Sequence, residues 1–471
     1  MGFILTLVYI FLTIISPDQF GEKLADYHVL TYLAGAAFLF SVPEIINRRH
    51  LLYSVQTYLL LGFTIAIAIS KAVNGWYGGA ILAWKIFLPC VGVFFFIVAN
   101  VTTPRRLKIL ALTIAGASLV VVIEALCGYY FGFRGDTFVL TQGLFVRDEF
   151  AGQFDRLRGA GYLSDPNDFA QVLLIALPLL FLAWRRGQDA LNAAFVLAPA
   201  AVLLWAIYLT HSRGALVGLA VLAVMLIRKR IGTTASLLLT SGSFVGLLAL
   251  NFTGGRLISA SAGADRLWIW SSGLQMFKHS PVFGVGFGNY TDFYEITAHN
   301  SFVLCLAELG LVGSLIWVAL LVTTFMGLNK NINRQEKSRQ QSASPKPAAV
   351  ANHSYRPMRL KAHSVLSTTF RTITVPVSNF RNTPEFCVLY PVPQQWVIAV
   401  RLALISFVTT SWFLSRAYQT PMYLILGVAT ATILLQQEKA KAKIRTSWIF
   451  LTLAVEASTI ALIYEIVRLR F

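Results

Sequence analysis

The sequence predicts an all-α fold, a polytopic transmembrane helical bundle of about 12 spans with two long extracytoplasmic loops. Three observations predict it. Of the 471 residues, 56% are hydrophobic and only 13% charged, against about 25% charged in an ordinary soluble domain, and the mean hydropathy is +0.66. Apolar runs close to the roughly 20 residues needed to cross a hydrocarbon core recur along the chain. The formal net charge of +18 is gathered mainly in short links between those runs. That is the positive-inside pattern, so the charge calls for no nucleic-acid partner.

Spans are expected at 2–16, 28–46, 51–70, 84–101, 107–127, 169–184, 191–210, 215–227, 232–252, 301–326, 396–414 and 420–436. A further segment at 447–467 carries Glu456 and Glu465 and suits the membrane interface as well as a span. The first run has no Lys or Arg before it and no small-residue cleavage site after it, so it reads as an anchor rather than a signal peptide. The basic clusters NRRH (47–50), TPRRLK (103–108), WRRG (184–187), RKR (228–230), NKNINRQEKSR (329–339) and QEKAKAK (437–443) occupy every second connection. Helix parity and charge agree, which puts the N-terminus in the cytoplasm.

This divides the chain into N-terminal helices (1–127), an extracytoplasmic loop (128–168), central helices (169–252), a second such loop (253–300), one helix (301–326), a basic cytoplasmic linker (327–395) and C-terminal helices (396–471). The linker is rich in Ser, Pro, Gln and Asn without helical period and is expected to be loosely folded. Its His353 and His363 lie on the wrong side for the site described next. Cys90, Cys127, Cys305 and Cys387 are scattered without metal-ligand spacing or a disulfide framework.

The outward links hold arginines against the charge rule: Arg134, Arg147, Arg156, Arg158, Arg213, Arg256 and Arg266. They point to an anionic ligand outside the cytoplasm. Three helices start on that side with polar motifs: SDPNDFA (164–170), THSRGALVGL (210–219) and AHNSFVLCL (298–306). Helix N-termini present free N–H groups and a positive dipole end, which favour anions. Arg213 at one of them adds a planar fork suited to phosphate, although snorkelling to headgroups is its simplest structural role.

His299 could be a helix-end polar residue. At a positive dipole end, however, its imidazolium is disfavoured, which keeps the ring available to accept a proton. Glu308, nine residues on, falls on the opposite helix face and cannot orient it; a carboxylate partner would have to come from elsewhere, such as Asp165 or Asp168. Asp165, Asn167 and Asp168 are expected to support the first helix start and Asn300 the third. Gly284, Gly286 and Gly288 follow no strand and read as a turn or close backbone approach, not a dinucleotide loop.

Taken in order, SDPNDFA, THSRGALVG, DRLWIW, MFKHSPVFGVGFGNY and AHNSFVLCLAELGLVG resemble the O-antigen ligase and O-antigen polymerase superfamily of bacterial envelope enzymes over about 155–330. The resemblance implies a cofactor-free, metal-independent, inverting glycosyltransferase of the cytoplasmic (inner) membrane, with its active site facing the periplasm. Its implied donor is a glycan on undecaprenyl diphosphate, and its implied acceptor is lipid A core or another glycan. Carried onto this sequence, His299 is the general base, while Arg213, Arg266 and Arg158 contact the diphosphate. Two other readings stay open: a metal held by Asp165, Asp168 and Asp265, and a lipid-linked glycan transporter, which should show broken helices and midplane charge.

Overall fold

The computed structural model describes residues 1–16, 28–47, 54–146, 149–249, 260–343, 392–436 and 447–468. In chain order its main elements are α1 (Gly2–Ile15), α2 (Val29–Asn47), α3 (Val55–Val73), α4 (Tyr77–Asn100), α5 (Pro104–Phe131), β1 (Val139–Val146), β2 (Glu149–Leu157), α6 (Pro166–Leu180) and α7 (Asp189–Leu209). They continue with α8 (Arg213–Ile231), α9 (Thr233–Ala249), α10 (Ala260–His279), α11 (Ser301–Ala343), α12 (Gln394–Ser411), α13 (Thr420–Gln436) and α14 (Ser447–Arg468). The fold is an all-α bundle, and every apolar run picked from the sequence lies on one of these helices.

Among the described residues, 8 helices are long and apolar enough to cross a membrane, and the 447–468 segment is one of them. The remaining expected spans miss that standard for visible reasons. Helices α1, α9 and α13 have only 14, 17 and 17 residues. Helix α8 ends on Arg228, Lys229 and Arg230, and α12 opens on two glutamines and contains Arg401. Yet α13 is buried almost all round, which marks the centre of a bundle rather than its surface. It packs on α4, with Phe87 edge-on to Tyr423 at 5.0 Å.

Four expectations need correction. Residues 128–168 are not simply a loop: α5 runs on to Phe131, and β1 and β2 form an antiparallel hairpin pairing Val139 with Leu157. Residues 253–300 contain the helix α10. Helix α4 starts at Tyr77, well before 84. Helix α11 runs through the first part of the basic linker to Ala343, because NKNINRQEKSRQQSA lacks Gly and Pro and is rich in straight-chain helix formers. Residues 344–391 of the linker, with His353, His363 and Cys387, lie outside the described residues, as do Arg147, Arg256 and the cluster 437–443.

The feature that positions the site is a break in α11. Gly310 has φ 61° and ψ −161°, which interrupts the helix within its apolar part. In a membrane the freed backbone groups must find partners. The segment 281–286 supplies them. Val285 and Gly286 donate to the Ala307 and Glu308 carbonyls at 3.0 Å each, while Leu311 and Val312 donate to the Pro281 and Val282 carbonyls at 2.9 and 3.1 Å. The glycine-rich turn is thus a close backbone approach: a Cβ on Gly284 would lie 2.3 Å from the Glu308 backbone. Helix α3 holds the turn from the other side. Asn74 donates to the Gly284 carbonyl at 3.0 Å, the Ser70 hydroxyl accepts from Phe287 N–H at 3.0 Å, and Lys71 donates to the Asn289 side chain. Glu308 accepts from Tyr290 N–H at 3.1 Å and so belongs to this turn.

Gly310→Ala should therefore disrupt folding. Its Cβ would sit 2.5 Å from the Val282 backbone, at a positive φ with extended ψ that is essentially reserved for glycine and alone costs about 1–3 kcal/mol. A lower yield of monodisperse protein and a lower Tm in detergent are expected; parental values for both would show that the break is not required.

Candidate active site

Three helix starts meet at one end of the bundle. At α6, Asp165 caps by accepting from Asn167 N–H at 2.7 Å, with Pro166 in the first turn. At α8, Ser212 accepts from Ala215 N–H at 3.3 Å. At α11, Asn300 accepts from Phe302 and Val303 N–H at 2.9 and 3.2 Å. The residues just before the last two caps, His211 and His299, share a left-handed backbone with φ 49° and 47°. A non-glycine residue held there costs about 1–3 kcal/mol, a strain that tends to collect at functional positions.

Two arginines tie these starts together. Arg156, on β2 and 4% exposed, donates Nε to the Thr210 carbonyl at 2.9 Å, one nitrogen to Asn167 Oδ1 at 3.1 Å and another to Gln142 Oε1 at 3.3 Å. It therefore joins the hairpin to the starts of α6 and α8. Arg416, in the link between α12 and α13, forms an ion pair with Asp168. Its backbone N–H donates to the Ser301 hydroxyl at 2.8 Å, and that hydroxyl donates to the Leu414 carbonyl at 2.6 Å. Arg416 therefore joins the starts of α6 and α11. Burial pulls its pKa from 12.5 to about 10, partly offset by Asp165 and Tyr162, and it stays cationic at neutral pH.

Helix α10 brings the remaining charges. Its Trp270 donates to the Ala298 carbonyl at 3.1 Å, docking the helix against the approach to His299. Arg266 lies over the Phe413 ring at 5.9 Å. The His299 pKa is lowered from its ordinary value, first by desolvation and then by the Arg266 cation, with Asp165 opposing, which favours the neutral ring. Arg213, the first residue of α8, is close enough for its charge to be felt by both Arg156 and Arg266. Although its side chain is exposed, Arg266 is lowered first by desolvation and then by Arg213. The buried Asn300 Nδ2 has no hydrogen-bond partner among the described residues, which leaves one donor unspent beside His299.

The structure thus gathers His299, Asn300, Arg213, Arg266, Asp165, Asn167 and Asp168. Arg158 stands apart: its guanidinium donates to the Asp136 carbonyl at 2.6 Å, at the root of the hairpin. Arg156, an outward arginine that the sequence offered without distinguishing it, lies among the helix starts instead. Arg416 was missed altogether, although an arginine in an outward link broke the same charge rule as the others. The carboxylates have duties of their own, Asp165 as a cap and Asp168 with Arg416. Among the described residues no trio of His, Cys, Asp or Glu has metal-holding geometry.

Residues 198–318 match the family model described as O-antigen ligase. Over that stretch, which is less than half of the chain, the sequence is similar to O-antigen ligases. Together with the 8 helices among the described residues that are long and apolar enough to cross a membrane, the match supports a multi-pass membrane protein with an O-antigen ligase-like stretch. No curated protein matches the chain. The matched stretch contains Arg213, Arg266, His299 and Asn300, together with the break at Gly310. Arg156, the α6 start and Arg416 lie outside it and complete its polar end.

Asp168→Asn would leave Arg416 largely buried without its counter-charge, a loss of about 3 kcal/mol. Thermal unfolding should show it, and Asp168→Asn combined with Arg416→Met should recover much of that loss. Equal stability of the single variant and the parent would mean the pair is not a clasp.

Proposed function

We infer that the chain transfers a glycan from an undecaprenyl diphosphate carrier to an acceptor hydroxyl, with lipid A core favoured, on the periplasmic face of the bacterial cytoplasmic membrane. The observation that carries this reading is His299 directly before the capped start of α11, with the Arg266 cation acting on it and Arg213 and Arg156 drawn to the same end from separate elements. His299 takes the acceptor's proton as its oxygen attacks the anomeric carbon. The bond from that carbon to the phosphate oxygen breaks, and the diphosphate departs with the bonding electron pair. Attack opposite the leaving group inverts the anomeric centre.

Arg213 and Arg266 stabilise the growing phosphate charge, helped by the α8 and α11 N-termini. Arg156 strengthens the same potential while positioning the α8 start. In this mechanism the fixed cations do the work a divalent ion would otherwise do, so no metal is required.

The break at Gly310 recommends a second reading, a lipid-linked glycan transporter. The bonding around it favours the enzyme: the freed groups at Ala307, Glu308, Leu311 and Val312 are bound to segment 281–286 instead of lining a path. A polymerase of the same superfamily uses the same chemistry and differs only in acceptor.

His299→Ala should leave the protein folded and reduce transfer by about 10²–10⁴-fold. Near-parental turnover at matched membrane abundance would remove His299 as the base. Because the neutral ring is the active form, transfer should be flat near pH 7 and fall only as the pH drops through a pKa below 6.5. A limb centred above 6.5 would contradict this assignment. Arg213→Lys keeps charge but loses the planar fork, so it too should weaken donor binding and rate; parental values for both would make Arg213 a structural residue.

A further inference from the structure

Beside the polar cluster lies an aromatic shelf that the proposed chemistry does not use. The Tyr129 and Tyr130 rings meet at 5.2 Å near the end of α5. Trp205 of α7 donates to the Tyr130 hydroxyl at 3.0 Å and stacks on Tyr208 at 5.3 Å with 21° between planes. Tyr208 then meets the His211 ring at 5.7 Å, and Phe154 of β2 meets it at 5.9 Å from another side. Trp205 and Tyr130 are 48% and 53% exposed, so their faces are open.

Tryptophan and tyrosine at a helix end ordinarily anchor at the headgroup level. Three observations set this shelf apart. First, it is continuous with the cluster: its His211 follows Thr210, whose carbonyl is held by Arg156, and Phe154 lies two residues from Arg156 on the same strand. Second, His211 adopts its contacts at φ 49°, a backbone strain that a simple lipid anchor does not require. Third, the rim carries a carboxylate. Asp155 is exposed, accepts from the Thr141 hydroxyl at 2.6 Å, and lies within electrostatic reach of Tyr129. A carboxylate repels phosphate, whether of a headgroup or of the leaving diphosphate, so this end of the site suits the uncharged part of a ligand.

We propose that the shelf of Tyr130, Trp205 and Tyr208, with Asp155 at its rim, is a subsite for a pyranose ring of the lipid-linked glycan. A pyranose pairs an apolar C–H face with an equatorial fringe of hydroxyls. The exposed rings take the face, and Asp155 accepts from a hydroxyl. The arginines hold the diphosphate end and the shelf holds the sugar end, so the subsite selects donors that carry a glycan. This rests on the transfer reading above.

The test separates the two. Full-length protein in nanodiscs is titrated with the lipid-linked glycan extracted from the source cells and, separately, with sugar-free undecaprenyl diphosphate. The parent should prefer the glycan-bearing lipid. Two variants are read against that preference: Trp205→Ala and Asp155→Asn should each cut it about three- to tenfold while leaving affinity for the sugar-free lipid unchanged, and Trp205→Phe should largely restore it. Equal loss for both lipids, or a change in thermal stability alone, would make the shelf a headgroup anchor and overturn the subsite. Unaltered preference in both variants would overturn it as well. If the parent binds and discriminates but transfers no glycan, the transfer reading fails and the subsite stands.

Discussion

Two guanidinium groups, those of Arg156 and Arg416, hold three helix starts together, and the arrangement of the polar end depends on them. Each is substantially withdrawn from water, so each must be met by fixed acceptors. Arg156 finds them at Thr210, Asn167 and Gln142, and Arg416 finds Asp168. The geometry that satisfies the arginines also places the starts of α6, α8 and α11 side by side. It concentrates positive potential where three sets of backbone N–H groups already point. The His299 imidazole sits inside this field, and desolvation first, then the Arg266 cation, push its pKa down, which favours the neutral ring.

A second constraint acts deeper in the bundle. Backbone groups freed by the break at Gly310 would be costly in hydrocarbon, and the 281–286 backbone meets them one by one. The consequence reaches the site, because the chain between that turn and α11 carries His299. Glu308 fixes the turn through Tyr290, and α3 fixes it through Ser70, Lys71 and Asn74. The position of the imidazole is therefore set from both ends of the 281–300 segment, by the turn at one end and by the Asn300 cap with Ser301 at the other.

The bundle was legible because its signals are local and strong: apolar run length, and basic residues in alternate links. The three helix starts were legible for the same reason, since Asp165, Ser212 and Asn300 are capping residues placed directly before apolar runs. The hairpin at 139–157 was not, because its apolar residues alternate only weakly with polar ones. Nor was the helical extension to Ala343, which propensity sustains without an apolar stripe. Choosing between Arg156 and Arg158 needs the register of β2 and the position of Asp136, both tertiary facts. Arg416 is distant in sequence from every motif it serves, so only its place on the wrong side of the charge rule marked it. Of the glycines at 284, 286 and 288, read as a turn or a close backbone approach, Gly284 makes the close approach, but what it approaches, a broken helix, could not be inferred from the sequence.

The most direct test of the account is a transfer reaction with purified protein, a lipid-linked glycan donor and a defined acceptor, after exhaustive chelation and without added metal. The account predicts a covalent product whose new glycosidic bond has the anomeric configuration opposite to the donor's, formed at a rate that added magnesium or manganese does not change. Loss of product on chelation with recovery on adding one ion, or retention of the donor's configuration, would contradict it.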